Sequence, residues 1–431
     1  MLITCLIFRM SHESSYAIHQ EDALCKAFGF TQVATAQTSS LTFGSISSAA
    51  NRVHEELEKG TYLSSPVVKF FNFKLPQYHD ARTEILLQAK MLGIPHVNTT
   101  TKMLKVYRQK YTKIGDKCIY VYDATVEKAR ASYNIFPKFQ KVNCLEAHCE
   151  YWSAIEAGED TLYSSEITWE GLFKKVGKVE DMVSTDVNVP PNWWWFNSPD
   201  QNLIMAHEPT RTHSGSGYSH LYLGRKHSTF TWHVEPSDIP SVSVLHAGSP
   251  KIWYVPHPMY LTNVKDFVWS EIGENNDYDF HNCDAFFEHR WTHINPARLV
   301  TEMNAFDCSM PKRFPVAVVV QEPRCHLLIP WQTLHQGFST GDNIGEAIGM
   351  CTLPAARHLA AEREATPCDK LRAKSKGKDA SLELNKLIDL SEVMVRPPKI
   401  HTPRMPAEEK PRCKPKAKRA RYTHIKTHSK Q

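Results

Sequence analysis

The chain has 431 residues, of which 42% are hydrophobic and 23% charged, and its formal net charge is +5. This composition is typical of a globular protein and excludes a chain that is disordered throughout. The longest apolar stretches fall short of the roughly 18 residues that a membrane helix needs, so no membrane association is expected. The 11 cysteines are scattered, which favours reduced thiols in a nuclear or cytosolic setting.

The first part of the chain gives few functional signals. Residues 1–110 are mixed in character and partly helical, and we assign them no function from pattern alone. From about residue 51 to 150 the hydrophobic pattern is mostly helical, with an amphipathic helix predicted over 84–92 and a strand over 115–122.

Between about residues 221 and 353 the pattern changes to short β segments rich in Val, Ile, Tyr, Phe and Trp. The segments are SHLYLG, STFTWHVE, SVSVLHAG, KIWYVPH, FPVAVVVQ and CHLLIPWQ. Gly, Pro, Ser or Asp residues bound each of them. Such a series predicts an antiparallel sandwich or barrel.

The C-terminal end of the chain is strongly basic. Residues 396–431 carry 12 Lys/Arg and 2 Asp/Glu, a net charge of +10, whereas the preceding 395 residues have a net charge of −5. A Pro/Lys-rich tail of this kind cannot bury enough apolar surface to fold alone. Its dense block over 414–421 favours nuclear import, with non-specific contact to DNA phosphates as a second role. A tail that only solubilises the chain is the alternative.

One His-x-Glu motif has the spacing of a metal site. The motif occurs at His19/Glu21, His54/Glu56, His148/Glu150 and His233/Glu235. The first three lie in helical patterning, where residues two apart point in nearly opposite directions. Only His233 and Glu235 lie in a strand pattern, in which residues i and i+2 share a face.

The third ligand predicted for this site is His335, which follows a strand pattern and lies among turn residues. Two histidines and one carboxylate form the facial triad of non-haem Fe(II) oxygenases. A buried core histidine and a polar turn histidine are the ordinary alternative. Lys251 adds to the metal interpretation, because a lone lysine inside a barrel is costly unless an anion pairs with it. A dicarboxylate cosubstrate that chelates the metal would be such an anion.

These residues resemble the JmjC-domain histone lysine demethylases, in particular the lysine-specific demethylase 4 subfamily. The segments that carry the resemblance are EYWSAIEAGEDTLYSSEI, LYLGRKHSTFTWHVEPSDIPSVSVLHAGSPKIWY, NCDAFFEHRWTHINPARL and HQGFSTGDNIGEA. Together they span roughly residues 151–368, about half of the chain. No segment resembles the JmjN module that normally precedes this domain.

The resemblance implies a mainly β fold with flanking helices (α+β), built on a double-stranded β-helix of the jelly-roll or cupin type. It implies a catalytic domain over 111–370 with its β-helix core at about 185–353. The pattern and composition of residues 371–431 predict short helices followed by a basic, Pro/Lys-rich disordered tail. Residues 1–110 are expected to be a partly helical N-terminal region of unknown role.

The resemblance also implies roles for individual residues. Iron would be bound by His233, Glu235 and His335, and 2-oxoglutarate by Tyr163, Phe230, Lys251 and Ser243. The methylammonium pocket would be lined by Gly215, Tyr222 and Ala347. A structural zinc would be held by Cys283, His289 and Cys368, but the fourth family ligand falls at about Thr366. Buried thiols without zinc are therefore the alternative.

Four further positions depart from the family. Ser243 stands where the family has an asparagine that contacts 2-oxoglutarate, Ile348 and Gly349 replace a threonine and an asparagine, and Arg290 replaces a lysine.

The resemblance implies an Fe(II)- and 2-oxoglutarate-dependent histone lysine demethylase in the nucleus, with chromatin as its partner. It would remove methyl groups from histone H3, with the lysines at tail positions nine and thirty-six favoured, and would release formaldehyde and succinate. The alternatives are a JmjC-fold chromatin-binding protein with little or no activity, and a JmjC protein hydroxylase.

Overall fold

The computed structural model describes residues 12–32, 68–70, 101–114, 119–134, 137–167, 220–235, 239–272, 286–306, 314–323 and 325–349. Within these ranges the α-helices are α1 (His12–Phe28), α2 (Cys144–Glu156), α3 (Leu261–Ile272) and α4 (Pro296–Phe306). Short 3₁₀ helices span Pro258–Tyr260 and Phe286–His289. In the described part of the chain, none of the helices has both the length and the apolarity needed to cross a membrane.

The first seven strands are β1 (Thr31–Gln32), β2 (Val68–Phe70), β3 (Thr101–Lys113), β4 (Ile119–Asn134), β5 (Thr161–Ile167), β6 (His220–Gly224) and β7 (Thr229–His233). The other seven are β8 (Ser241–Gly248), β9 (Lys251–Pro256), β10 (Thr292–Ile294), β11 (Val316–Gln321), β12 (His326–Ile329), β13 (His335–Ser339) and β14 (Asn343–Gly349). All are joined edge to edge in the order β1-β11-β9-β13-β7-β10-β4-β3-β5-β6-β14-β8-β12-β2.

Eight of these strands form the centre of the fold. Strands β7, β13, β9 and β11 form one antiparallel sheet, and β6, β14, β8 and β12 form the other. From β6 to β9, and again from β11 to β14, successive strands alternate between the two sheets. This alternation defines a double-stranded β-helix. The predicted mainly β fold with flanking helices is thus confirmed.

The first of these sheets is buried on both of its faces. Trp253 and Val255 of β9 and Ala317 of β11 pack towards β12 in the space between the sheets. Their neighbours Ile252 and Tyr254 belong to a larger cluster that also includes residues from all four helices. Burial on both faces explains why β9 and β11 read as continuous apolar runs rather than as an alternation.

The helical pattern predicted upstream is wrong for part of its range. Strands β3 and β4 form a long antiparallel hairpin, with pairs from Thr101↔Asn134 to Lys113↔Tyr120. In the middle of β3, buried Gln109 and half-buried Tyr111 alternate with exposed Lys110, which is the period of a strand. The predicted helix over 84–92 and the basic tail lie outside the described residues.

Helix α1 is part of the same core as the β-helix. Ala17 and Leu24 are fully buried in the cluster on the outer face of the first sheet. Strand β1 pairs in parallel with β11, and the Glu21 carboxylate accepts a hydrogen bond from the Val320 N–H at 2.7 Å. Residues 12–32 therefore complete the edge of this sheet.

We expect replacement of Glu21 by alanine to destabilise the protein by about 1–3 kcal/mol, because it leaves the buried Val320 N–H without its acceptor. Glu21→Gln retains an acceptor oxygen and should lose less. The measurement is urea unfolding, with His19→Ala on the exposed side of the same helix as control. Equal stability of wild type and Glu21→Ala would contradict the structural role of this contact.

Candidate metal centre

The centre of the candidate site lies where β7 and β13 pair. His233, the last residue of β7, is directly opposite His335, the first residue of β13. The next pair is Gly337↔Phe230, so β7 has one more residue than β13 between the two pairs. Such a bulge turns the strand and re-aims its side chains. As a result Phe230 and His233, an odd number of positions apart, both lie beside His335.

Three side chains converge at this point. One ligand atom from each of His233, Glu235 and His335 lies within 4.8 Å of the others, and these residues are the only such group of three or more in the described ranges. The two imidazole centroids are 4.1 Å apart, and His335 Nε2 is 3.8 Å from Glu235 Oε1. Because β7 ends at His233, Glu235 lies just beyond the strand rather than within it. His335, predicted among turn residues, begins a strand.

Backbone carbonyls orient both imidazoles. His233 Nδ1 lies 2.6 Å from the Thr231 carbonyl oxygen, and His335 Nδ1 lies 2.9 Å from that of Thr333. Nδ1–H therefore donates in each ring, which leaves Nε2 as a lone-pair donor to a metal. Burial is the main cause that lowers the pKa of both histidines, so both are neutral near pH 7. Neutral imidazole is the form that binds metals.

The carboxylate of the cluster has a second partner that the sequence did not indicate. Arg290 Nη2 donates to Glu235 Oε2 at 3.2 Å. The Glu235 side chain is 18% exposed and that of Arg290 45%, so this ion pair lies at the mouth of the cluster.

Lys251 is a buried cation at the start of β9. The residue is only 8% exposed, and burial lowers the pKa of its ammonium to about 8. In the part of the chain that the structure describes, no carboxylate forms an ion pair with it. Its Nζ atom lies 5.8 Å from the centroid of the Tyr222 ring, and a Cβ atom at Gly345 would lie 3.0 Å from Nζ. The absence of a side chain on Gly345 thus leaves room beside the ammonium group.

Polar side chains continue from Lys251 across the space between the sheets. Gln321 is directly opposite Lys251 in the β11–β9 register and is fully buried. Its amide accepts from Trp253 Nε1 at 2.9 Å and donates to the Ser243 carbonyl at 3.2 Å and the Ser243 hydroxyl at 3.5 Å. The two hydrogen bonds from Gln321 hold Ser243 in place. The sequence analysis did not identify Gln321 and Trp253, although a glutamine at the end of an apolar strand was a signal for the first of them.

Comparison with known proteins agrees with this geometry. Residues 220–349 match the family model described as "JmjC domain, hydroxylase". This part of the chain is a JmjC domain. It contains all eight strands of the double-stranded β-helix and the three converging side chains. The resemblance inferred from the motifs is thereby confirmed.

The JmjC domain is also the region shared with curated relatives. The chain is 28% identical over 141 residues to lysine-specific demethylase 4B of Mus musculus, covering 32% of this chain and 12% of that protein. It is 30% identical over 138 residues to probable lysine-specific demethylase 4F of Homo sapiens, covering 32% and 19%. For probable lysine-specific demethylase SE14 of Oryza sativa subsp. japonica, identity is 30% over 132 residues, covering 31% and 8%. The chain thus spans less than a fifth of each of these relatives.

The other predicted site residues fall into two groups. Tyr222 lies on β6 of the JmjC domain and Ala347 on β14, while Tyr163 lies on β5, which pairs with β6. The Tyr163 ring packs 5.7 Å from that of Tyr107 on β3. Gly215, Cys283 and Cys368 lie outside the described residues. His289 ends a 3₁₀ helix, and the position of its side chain is likewise outside the description.

Two of the other His-x-Glu pairs behave as their helical pattern predicted. On α1, His19 is exposed whereas Glu21 is buried. On α2, His148 is buried, whereas Glu150 is exposed and pairs with Lys226 at 2.7 Å. The remaining His-x-Glu pair, at residues 54 and 56, lies outside the described residues. In both described helical pairs the two side chains point apart, and neither pair belongs to a metal-binding group within the part of the chain that the structure describes.

Proposed function

We propose that this protein is an Fe(II)- and 2-oxoglutarate-dependent histone lysine demethylase. The observation that carries the proposal is the position of the His233, Glu235 and His335 cluster in the same β-helix as Lys251, a buried cation without a carboxylate partner in the described residues. Two histidines and one carboxylate are the donor set of non-haem iron oxygenases. A dicarboxylate cosubstrate would neutralise the buried ammonium group.

In this proposal each side chain has a defined task. His233, Glu235 and His335 hold the iron, which, when bound with 2-oxoglutarate and O₂, supplies the oxidation of a substrate C–H bond. Lys251 binds the far carboxylate of 2-oxoglutarate, and Tyr163 donates a hydrogen bond to it. Phe230, whose ring lies 4.3 Å from that of Trp253, packs against the cosubstrate and excludes water. Ser243 replaces the family's asparagine with a shorter polar group.

The proposed substrate is the methylated tail of histone H3, with the lysines at positions nine and thirty-six favoured. Gly215, Tyr222 and Ala347 line the methylammonium pocket, and the small side chain of Ala347 leaves room for two or three methyl groups. With O₂ as the oxidant, one oxygen atom is added to an N-methyl group, which leaves as formaldehyde, and the other is added to 2-oxoglutarate, which loses CO₂ and becomes succinate. The net charge of −5 over residues 1–395 favours a basic histone tail.

The remaining parts of the proposal concern the rest of the chain. The catalytic domain extends over 111–370, and the basic tail directs the protein to the nucleus and contacts DNA non-specifically. Cys283, His289 and Cys368 form an incomplete set of ligands for a structural zinc. The names of two relatives, lysine-specific demethylase 4B and probable lysine-specific demethylase 4F, support the proposed demethylation of lysine.

A second candidate function is a JmjC-fold chromatin-binding protein with little or no activity. Two observations favour it: the Ser243 hydroxyl already accepts a hydrogen bond from Gln321, and Gly349 offers no side chain where the family has an asparagine. A protein hydroxylase is the third candidate, and its product would retain the added oxygen.

Mass spectrometry of trimethylated H3 peptides tests these candidates. Separate peptides carry the mark at position four, nine, twenty-seven or thirty-six and are incubated with protein, Fe(II), ascorbate and 2-oxoglutarate. Stepwise loss of methyl groups at position nine or thirty-six is expected, and His233→Ala should abolish it. A gain of one oxygen would favour the hydroxylase. An unchanged mass, with no binding of 2-oxoglutarate by calorimetry, would favour the inactive chromatin-binding protein.

A further inference from the structure

The two carboxylate oxygens of Glu235 have different partners. Oε1 lies 3.8 Å from His335 Nε2, on the side of the histidine cluster, whereas Oε2 accepts a hydrogen bond from Arg290 Nη2 at 3.2 Å. A charge-assisted hydrogen bond of this kind restricts the rotation of a carboxylate. The guanidinium group therefore holds one oxygen and leaves the other directed at the cluster.

The backbone of Arg290 is fixed in a conformation that few side chains adopt. Its φ angle is 58°, in the left-handed region that usually selects glycine. Its carbonyl accepts a hydrogen bond from Thr231 Oγ1 at 2.8 Å, and the next carbonyl, of Trp291, accepts one from the Tyr122 N–H at 2.7 Å. A large side chain at such a position indicates that the surrounding structure determines where it points.

The same bulge supports both the histidine and the arginine. Thr231, which anchors the Arg290 carbonyl, is one of the residues of β7 inside the register shift between the Phe230 and His233 pairs. The carbonyl of Thr231 also accepts from His233 Nδ1 at 2.6 Å. The orientations of His233 and of the Glu235 carboxylate are thus set through one residue.

We propose that Arg290 is a positioning residue that keeps Glu235 a one-oxygen ligand of the metal. The inference rests on the metal centre proposed above. With Oε2 held by the guanidinium group, only Oε1 is left for the metal, and the positions not taken by protein remain open for a cosubstrate that binds through two oxygens. Without Arg290, the second oxygen is free to compete for one of those positions.

The test uses Co(II) as a spectroscopic probe in the full chain. We expect Arg290→Met to change the visible absorption spectrum of the bound Co(II) and to weaken 2-oxoglutarate binding to the Co(II) protein roughly 10- to 100-fold, the usual range for partners of metal ligands. Arg290→Lys retains a cationic donor and should stay close to wild type in both measurements. Arg298→Met is the matched control, because among the described residues the Arg298 guanidinium pairs only with Glu302, on the surface at 3.9 Å.

The Co(II) affinity alone does not show whether Arg290 positions Glu235. Removal of the nearby cation strengthens metal binding, whereas a less restricted Glu235 carboxylate weakens it. An unchanged spectrum and unchanged 2-oxoglutarate affinity in Arg290→Met would overturn the inference. A change in Co(II) affinity with an unchanged spectrum would also overturn the inference, because it would show that Arg290 acts on the metal through its charge alone. If Arg290→Met does not fold, Thr231→Val removes the hydroxyl that anchors the Arg290 carbonyl and should change the Co(II) spectrum relative to wild type, and an unchanged spectrum there overturns the inference. Failure of the wild type to bind Co(II) would instead overturn the proposed metal centre.

Discussion

Replacing Lys251 with methionine is expected to stabilise the cosubstrate-free protein and, at the same time, to weaken its binding of 2-oxoglutarate by about 100-fold or more. Loss of one partner from a buried charge pair costs about 3–5 kcal/mol, which corresponds to this loss of affinity. The gain in stability arises because the substitution removes a buried positive charge. A pKa lowered from 10.5 to about 8 corresponds to roughly 3 kcal/mol of unfavourable burial at pH 7, and methionine removes it.

The pH dependence of stability gives a further signature of Lys251. Its pKa is lower in the folded state than in the unfolded state, so the folded protein carries the full cost below about pH 8. As the pH rises from about 8 to 10.5 the folded state loses this proton first, and the contribution of Lys251 to the free energy of unfolding becomes more favourable. Lys251→Met should lack this rise.

The measurements for Lys251 are calorimetric titration with 2-oxoglutarate and urea unfolding at several pH values. Lys226→Met is the matched control, because the Lys226 side chain is 57% exposed and pairs only with Glu150 in the contacts described above. Undiminished affinity for 2-oxoglutarate in Lys251→Met would contradict the assignment of this residue as the cosubstrate's partner.

The second large effect concerns the metal itself. We expect His233→Ala to lose turnover by more than about 100-fold, because changes to the outer partners of metal ligands alone cost 10- to 100-fold. Metal binding measured by Co(II) titration should fall in parallel. His19→Ala, on the exposed side of α1, should leave both unchanged. Metal affinity and turnover equal to wild type in His233→Ala would rule out His233 as a ligand.

The strands of the β-helix were predictable where their side chains are apolar. Six of its eight strands, β6 to β9, β11 and β12, coincide with the six β segments read from the sequence. Strands β13 and β14 were missed, because they contain glycine and polar residues where they face the site. At Gly337, for example, a Cβ atom would lie 2.2 Å from the Ile252 carbonyl oxygen and 2.4 Å from the Phe230 ring. A strand that must leave space lacks the residues that signal a strand.

The metal ligands of the site could be predicted from the sequence, but the residues that position them could not. His233, Glu235 and His335 were found from a spacing and a resemblance, and the structure brings them together. The contact of Arg290 with Glu235 depends on a left-handed backbone and on the bulge in β7, neither of which leaves a pattern in the sequence. The burial of Lys251 was anticipated, whereas the glycine that leaves room beside it was not.

The edge of the first sheet at β11 is covered by residues from the N-terminal part of the chain. Strand β11 would otherwise present unpaired N–H and C=O groups along an apolar strand, which is a template for another chain. Here Thr31 and Gln32 pair with Ala317 and Val318, and the Glu21 carboxylate accepts a hydrogen bond from the Val320 N–H. A fragment that begins after residue 32 would expose this edge and is expected to aggregate. Helix α1 and strand β1 together therefore cover this edge against intermolecular strand addition, in addition to the contribution of α1 to the core.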